Sequence, residues 1–404
     1  MTEERIEIPE TVALPEDATI EASTAAAIRS RRQYPLPRLA VPDAPLLEVK
    51  DLKTHFRLRQ GWVRAVDGVS FGLADGEALG LAGESACGKT TTALSLMQLL
   101  PSNGRIRSGS IELFGIDLVG KSEKAMQRYR WRELSIVFQG AMNALNPVIR
   151  VRDQIAEPIQ YRLGQSEATA RSRAEELLDL VGIPKKRSGA YPHELSGGMR
   201  QRAMIAMALA CDPAIVIGDE PTTALDVMVQ AQILELLERL RRELGLSLIL
   251  ITHDLSVLAE TCDRVLVMYA GKVAEEGPVR RVFTAPRHPY TRKLVGSFPN
   301  LHADRRTLEV ISGQPPDLLD PPPGCRFAPR CEFAMPVCTE VVPPEVRFSD
   351  GVRVACHLFP KSDIETVSAA PPAAAPTADA IGATAPLVEP LAAEPPLESE
   401  VASA

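Results

Sequence analysis

Apolar residues in this chain fall into two kinds of run. Ala78–Ala82, Ser135–Phe138, Ala214–Gly218 and Ser247–Thr252 are short and nearly continuous. That is the pattern of strands buried on both faces. Glu167–Leu180 and Val227–Glu243 instead space their apolar residues three and four apart, the pattern of helices with one buried stripe. Thr90–Leu100 and Gln201–Ala210 read as two further helices. Leu46–Val49 and Val69–Leu73 read as strands flanking a turn, and Arg264–Met268 with Gly271–Glu276 as a final strand pair. Strands alternating with helices predict an α/β domain built on a mostly parallel sheet covered on both faces. No repeat of about 20–50 residues is visible, so the chain carries one such unit.

The pattern stops at both ends, and composition says why. Residues 1–42 are rich in Glu, Ala and Pro without a sustained period. Residues 361–404 form an Ala/Pro tail without an aromatic residue. Both are expected to be disordered. After Lys361 seven acids and no base follow, so the tail carries the whole net charge of −7. The first 42 residues add −2, which leaves the remainder near +2. A near-neutral core lacks the basic excess of a nucleic-acid binder. No run of about 18 apolar residues occurs, so no segment is expected to span a bilayer alone. The acidic start MTEERIEIPE has no apolar signal region, and a cytosolic chain is expected.

Candidate chemistry begins at Gly83-Glu84-Ser85-Ala86-Cys87-Gly88-Lys89-Thr90, which fits G-x-x-x-x-G-K-[ST] between a predicted strand and a predicted helix. Backbone N–H groups of such a loop curl around phosphates, and the helix N-terminus adds its dipole. Gly83 and Gly88 permit close approach. Lys89 neutralises phosphate charge and Thr90 offers a hydroxyl to Mg²⁺. Thr91 completes the predicted nucleotide contacts. Ala86 stands where many such loops carry glycine, and Cys87 reads as a small loop residue rather than a reactive thiol. A second feature is the apolar strand ending in Asp219-Glu220. Asp219 is placed to hold the Mg²⁺ shell, and Glu220 to polarise the attacking water as general base.

The third motif, Leu195-Ser196-Gly197-Gly198-Met199-Arg200-Gln201, is a second glycine-opened, anion-binding helix end. With the other two it makes the chain resemble the ABC ATPases over about residues 46–340. The resemblance implies an ABC-type P-loop core at 43–285, with a helical subdomain at about 140–210. It implies that Ser196, Gly197, Gly198 and Gln201 close on ATP held by a partner subunit. Gln139 then matches the Q-loop glutamine that senses Mg²⁺ and water and faces the membrane partner. Ala224-Leu225-Asp226 matches the D-loop, and His253 the switch histidine that contacts the γ-phosphate. Phe56 is the best candidate to stack on adenine, with Trp62 as competitor. Gly140 follows Gln139 where relatives often have an acid.

Two stretches narrow the resemblance. Phe138–Pro147 looks like the Q-loop region of oligopeptide and dipeptide importer ATPases. Pro286-Arg-His-Pro-Tyr-Thr291 and Gly324-Cys-Arg-Phe-Ala-Pro-Arg-Cys331 look like their C-terminal extension, placed here at 286–360. That group also includes ATPases for nickel and other small solutes. The extension holds Cys325, Cys331, Cys338 and Cys356, spaced C-x5-C-x6-C-x17-C. In a reducing cytosol such a set points to a metal rather than disulfides. A zinc ribbon usually shows C-x2-C pairs, and four widely spaced thiolates also suit a [4Fe–4S] cluster. The resemblance favours the cluster, with Zn²⁺ or free thiols as the alternatives and His357 a bystander. Pro315, Pro316, Pro321, Pro322 and Pro323 leave little helix or sheet to hold this stretch without a staple.

The resemblance further implies a second ATPase subunit, identical or paralogous, and two transmembrane permeases. It also implies, at one remove, an extracellular solute-binding protein, and a peripheral place on the cytoplasmic face of the membrane. The rival class is an ABC ATPase acting on DNA or ribosomes. Such chains usually carry two units or a long coiled-coil insertion with basic surfaces, and neither is seen here. Glu220 and His253 argue against a third class, a regulatory module without catalysis.

Overall fold

The computed structural model describes residues 45–140, 144–223, 225–297 and 311–359. The segments expected to be disordered, 1–42 and 361–404, lie outside the described residues. So do 141–143 in the Q-loop stretch and Ala224 of the D-loop motif.

Strands β1 (Leu47–Leu58), β2 (Gly61–Leu73), β3 (Ala78–Ala82), β4 (Gly104–Leu113), β5 (Ile116–Asp117) and β6 (Leu134–Val137) come first. Strands β7 (Ile215–Asp219), β8 (Ser247–Ile251), β9 (Arg264–Tyr269), β10 (Lys272–Pro278), β11 (Glu345–Arg347) and β12 (Arg353–Ala355) follow. The main sheet runs β11-β12-β10-β9-β3-β8-β7-β6. From β9 to β6 its strands are parallel, as predicted. Every residue of β3, β7 and β8 is buried, which is why their sequences are apolar runs interrupted only at their ends, by Asp219 and Ser247.

The helices are α1 (Lys89–Met97), the single turn α2 (Glu123–Met126), α3 (Val151–Leu163), α4 (Glu167–Leu180), α5 (Gly197–Ala208), α6 (Val227–Leu244), α7 (Leu255–Thr261), α8 (Val279–Thr284), α9 (Pro289–Gly296) and α10 (Pro336–Glu340). Alternate residues of the parallel strands divide between two apolar cores. Leu79, Leu81, Ile217, Ile249 and Ile251 join the core formed with β1, β2, β4 and α1. Ala78, Ala82, Val216, Leu248 and Leu250 join the core formed with α3 to α6. In α6 the buried stripe is Ile233, Leu236, Leu237, Leu240 and Leu244, and Gly245 closes the helix at φ 60°, a dihedral glycine adopts without steric penalty.

Two parts of the architecture differ from the prediction. The N-terminal strands belong to a second sheet, β2-β1-β4-β5, whose paired strands are antiparallel. The sequence showed only their clean apolar ends. The middle of β1 and most of β4 carry charged, half-exposed residues that hide the period. The C-terminal stretch also holds more sheet than its prolines suggested. The β11–β12 hairpin continues the main sheet by pairing Glu275 with Val354 and Glu276 with Arg353. Arg353 donates to Glu276, Glu345 and the Ser70 carbonyl. Glu275 is fully buried and accepts the N–H groups of Arg287 and His288, each at 2.9 Å. A β10 carboxylate therefore pins the start of the extension onto the main sheet.

Candidate active site

The phosphate loop leaves the buried end of β3 and enters α1 with its backbone bent to suit. Gly83 has φ 145° and Gly88 φ 108°. A Cβ on Gly83 would lie 2.2 Å from the Met268 carbonyl oxygen, and one on Gly88 2.4 Å from that of Ala65. Both positions therefore exclude any side chain. Ala86 is also left-handed, at φ 63°, a conformation that costs an L residue about 1–2 kcal/mol. Lys89 is buried and folds back over the loop, donating to the carbonyls of Gly83 (2.7 Å) and Glu84 (3.0 Å) and reaching Cys87 Sγ at 3.6 Å. Burial pushes the Cys87 thiol up, so it stays protonated and unreactive. Ser85, Ala86 and Thr90 are exposed at the mouth of the loop and Thr91 is half-buried.

The carboxylate pair meets this loop from β7. Thr90 Oγ1 donates to Asp219 Oδ1 at 3.2 Å. Burial raises the Asp219 carboxyl, the Thr90 hydrogen bond opposes this, and the neighbouring Glu220 charge adds to it. A divalent cation would relieve both penalties, and the hydroxyl–carboxylate pair is the donor set such a cation takes. Glu220 sits beyond the strand end at φ 48°. Its Oε2 accepts from Gln139 Nε2 at 2.8 Å and Thr223 Oγ1 at 2.9 Å, and its Oε1 lies 3.6 Å from His253 Nδ1. The fold thus brings Gln139, Glu220 and His253 to one point from the ends of β6, β7 and β8. Parallel strands that terminate together make this convergence possible.

The signature and D-loop form a second locus. Ser196 caps α5 by accepting the Met199 N–H, and Asp226 caps α6 by accepting that of Val229. A Cβ on Gly198 would meet Val229 Cγ1 at 2.7 Å, so the two helix starts pack in contact. Ser196 is exposed and Gly197 and Gly198 are half-buried. Gln201 is only 3% exposed and its Nε2 has no hydrogen-bond partner, so this residue turns inward instead of facing out with the other three. Phe56 packs over Gly104, where a Cβ would come within 2.8 Å of its ring. Trp62 is covered by the Arg107 guanidinium at 4.8 Å.

The four extension cysteines are brought together. Cys325, Cys331, Cys338 and Cys356 line one cavity with His288, Phe327 and His357, and its interior is about 10 Å³, room for roughly one water. Gly324 permits the approach: a Cβ there would lie 2.3 Å from the Cys338 carbonyl oxygen. Burial pushes the Cys356 thiol up to about 11 and raises those of Cys325 and Cys331. A bound cation would favour the thiolate form of these three. Four soft thiols fit a soft metal. As they stand, however, no group of three or more His, Cys, Asp or Glu among the described residues has metal-holding geometry. The expected centre is matched in donor set and not in geometry.

Two residues that the sequence marked only as part of a resemblance touch the loop directly. Tyr290 and Arg330 both bond Glu84.

Comparison with known proteins agrees with this geometry. The ABC transporter family profile matches residues 66–223, and the profile of the oligopeptide/dipeptide transporter C-terminal region matches 274–338. A peptide import ATP-binding protein of Brucella melitensis is 49% identical over 314 residues, covering 74% of this chain and 93% of the relative. The dipeptide transport ATP-binding protein DppD of Bacillus subtilis is 48% identical over 316 residues, covering 78% and 94%. Among solved structures, the dimeric ATP-binding cassette MJ0796 in a post-hydrolysis state with ADP and phosphate matches with a TM-score of 0.53 and 26% identity. That match covers 58% of this chain and 99% of the cassette. Fold, loop and carboxylate pair define an ATP-hydrolysing cassette. The chain belongs to the ABC transporter family, in the branch that carries the oligopeptide/dipeptide C-terminal region.

Proposed function

We propose that this chain powers the import of di- and oligopeptides through an ABC transporter. The observation that carries this reading is the oligopeptide-type extension built into the main sheet of an ATPase whose nearly full-length relatives are named for peptide import. In this reading ATP lies between the phosphate loop of one subunit and Ser196–Gly198 of a second, identical or paralogous one. Lys89 and the loop amides hold the phosphates, and Phe56 stacks on the base. Thr90, Asp219 and Gln139 would hold Mg²⁺, which would neutralise charge on the phosphates. Glu220 takes a proton from the attacking water while His253 faces the γ-phosphate. Asp226 stands at the seam between the subunits. Val227 and Met228, 79% and 69% exposed at the start of α6, suit burial there. No helix among the described residues is long and apolar enough to cross a membrane. In this reading the chain is a peripheral subunit that meets the bilayer through two permeases, on the cytoplasmic side.

The test is reconstitution with a peptide-importer permease pair and its solute-binding protein. Peptide should stimulate ATP turnover several-fold. Stimulation by nickel or another small solute and not by peptide would overturn the substrate assignment.

The cysteine cavity is read as the seat of a [4Fe–4S] cluster, supported by the four soft thiols that line it together. Iron and sulfide analysis of anaerobically purified protein tests it. Cys331→Ser should lose the iron and lower the melting temperature. Zinc in place of iron, or neither metal with an unchanged melting temperature, would reject the cluster.

A further inference from the structure

A loop that binds a polyanion has no evident use for an acid, yet Glu84 follows its first glycine. Its carboxylate is bound bidentately by Arg330: Nη1 donates to Oε2 at 2.7 Å and Nη2 to Oε1 at 3.0 Å. The Arg330 side chain is only 5% exposed. It also donates to Tyr269 Oη at 3.1 Å, the Ile311 carbonyl at 3.2 Å and the Ser312 carbonyl at 2.9 Å. These contacts occupy all five donors of the guanidinium, which fixes it. The Glu84 main chain is held as well, its N–H donating to Tyr290 Oη at 2.8 Å. Tyr290 is fully buried against Tyr269, Phe327 and His288. On its other side the Glu84 carbonyl accepts from Lys89 Nζ.

We propose that Arg330 and Tyr290 are positioning residues for ATP binding, which makes the C-terminal extension part of the nucleotide site. Tyr290 and Arg330 fix the peptide on which Lys89 rests. Arg330 also cancels a carboxylate whose charge would otherwise repel the phosphates of a nucleotide on this loop. The extension thereby controls how well the loop accepts nucleotide, without touching it. This rests on the loop binding ATP phosphates, and a wild-type chain that bound no nucleotide would refute that reading instead.

The experiment is steady-state ATPase kinetics on the full chain, with Kd for a fluorescent ATP analogue. Arg330→Gln should raise KM about ten-fold or more, the scale of a lost charge-assisted bond, and leave kcat within about three-fold. Glu84→Gln in the Arg330→Gln background should recover most of that loss, because it removes the uncancelled charge. Tyr290→Phe should raise KM a few-fold with a near-wild-type melting temperature. A merely structural tie would lower melting temperatures and leave KM unmoved. Wild-type KM in folded Arg330→Gln, or a double variant no better than Arg330→Gln, overturns the proposal. Should Arg330→Gln not fold, an unchanged KM in Tyr290→Phe overturns it alone.

Discussion

Replacing Glu220 by glutamine separates chemistry from architecture at the centre of this site. Glu220 Oε2 accepts two hydrogen bonds, from Gln139 and Thr223, while Oε1 faces His253 Nδ1 at 3.6 Å. A glutamine oxygen in the Oε2 position keeps both accepted bonds. Its amide nitrogen then faces a ring nitrogen that accepts in the appropriate tautomer. The structural cost is therefore at most about 0.5–1 kcal/mol, that of one ordinary hydrogen bond. The chemical cost is larger, since glutamine cannot take a proton. General-base catalysis contributes about 10²–10⁴-fold, or about 3–5 kcal/mol of barrier. ATP turnover in the assembled transporter should fall by that factor, while nucleotide affinity stays within a few-fold and ATP accumulates uncleaved on the protein. Turnover within ten-fold of wild type, with bound ATP converted to ADP, would show that another group takes the proton.

Three further outcomes follow from the geometry. Gly88→Ala places a Cβ 2.4 Å from the Ala65 carbonyl oxygen at φ +108°; the required shift of about 1 Å should weaken nucleotide binding roughly 100-fold without loss of circular-dichroism signal, and near-normal binding would contradict the contact. Ala86→Gly relieves the left-handed alanine at φ 63° and should stabilise the chain by at most about 1 kcal/mol, a rise of order 1–2 °C in melting temperature; a fall would show that the methyl group packs usefully. Arg353→Met removes the guanidinium shared by Glu276 and Glu345 and should loosen the β11–β12 hairpin by about 3 kcal/mol, read as faster hydrogen exchange over residues 345–355; unchanged protection would mean that apolar packing alone holds the hairpin.

The chain's own order carried much of this molecule. Parallel strands β3, β7 and β8 are near-continuous apolar runs because both faces are buried, so each was legible locally. The phosphate loop, the carboxylate pair and the signature are contiguous motifs. Their residue types are those that phosphate, cation and water chemistry call for, and the family profile matches the stretch that holds them. What local pattern could not give was anything that depends on partners distant in sequence. The polar middle of β1 and most of β4 took their conformation from pairing, not from period. Gln201 lies in a contiguous motif, yet its burial is set by what α5 packs against. The role of Glu84 was illegible, since its partner Arg330 stands 246 positions away. Both residues were in view as letters of two separate motifs. Only the tertiary structure put a guanidinium on that carboxylate, because electrostatic pairing depends on distance in space and leaves no period in the sequence.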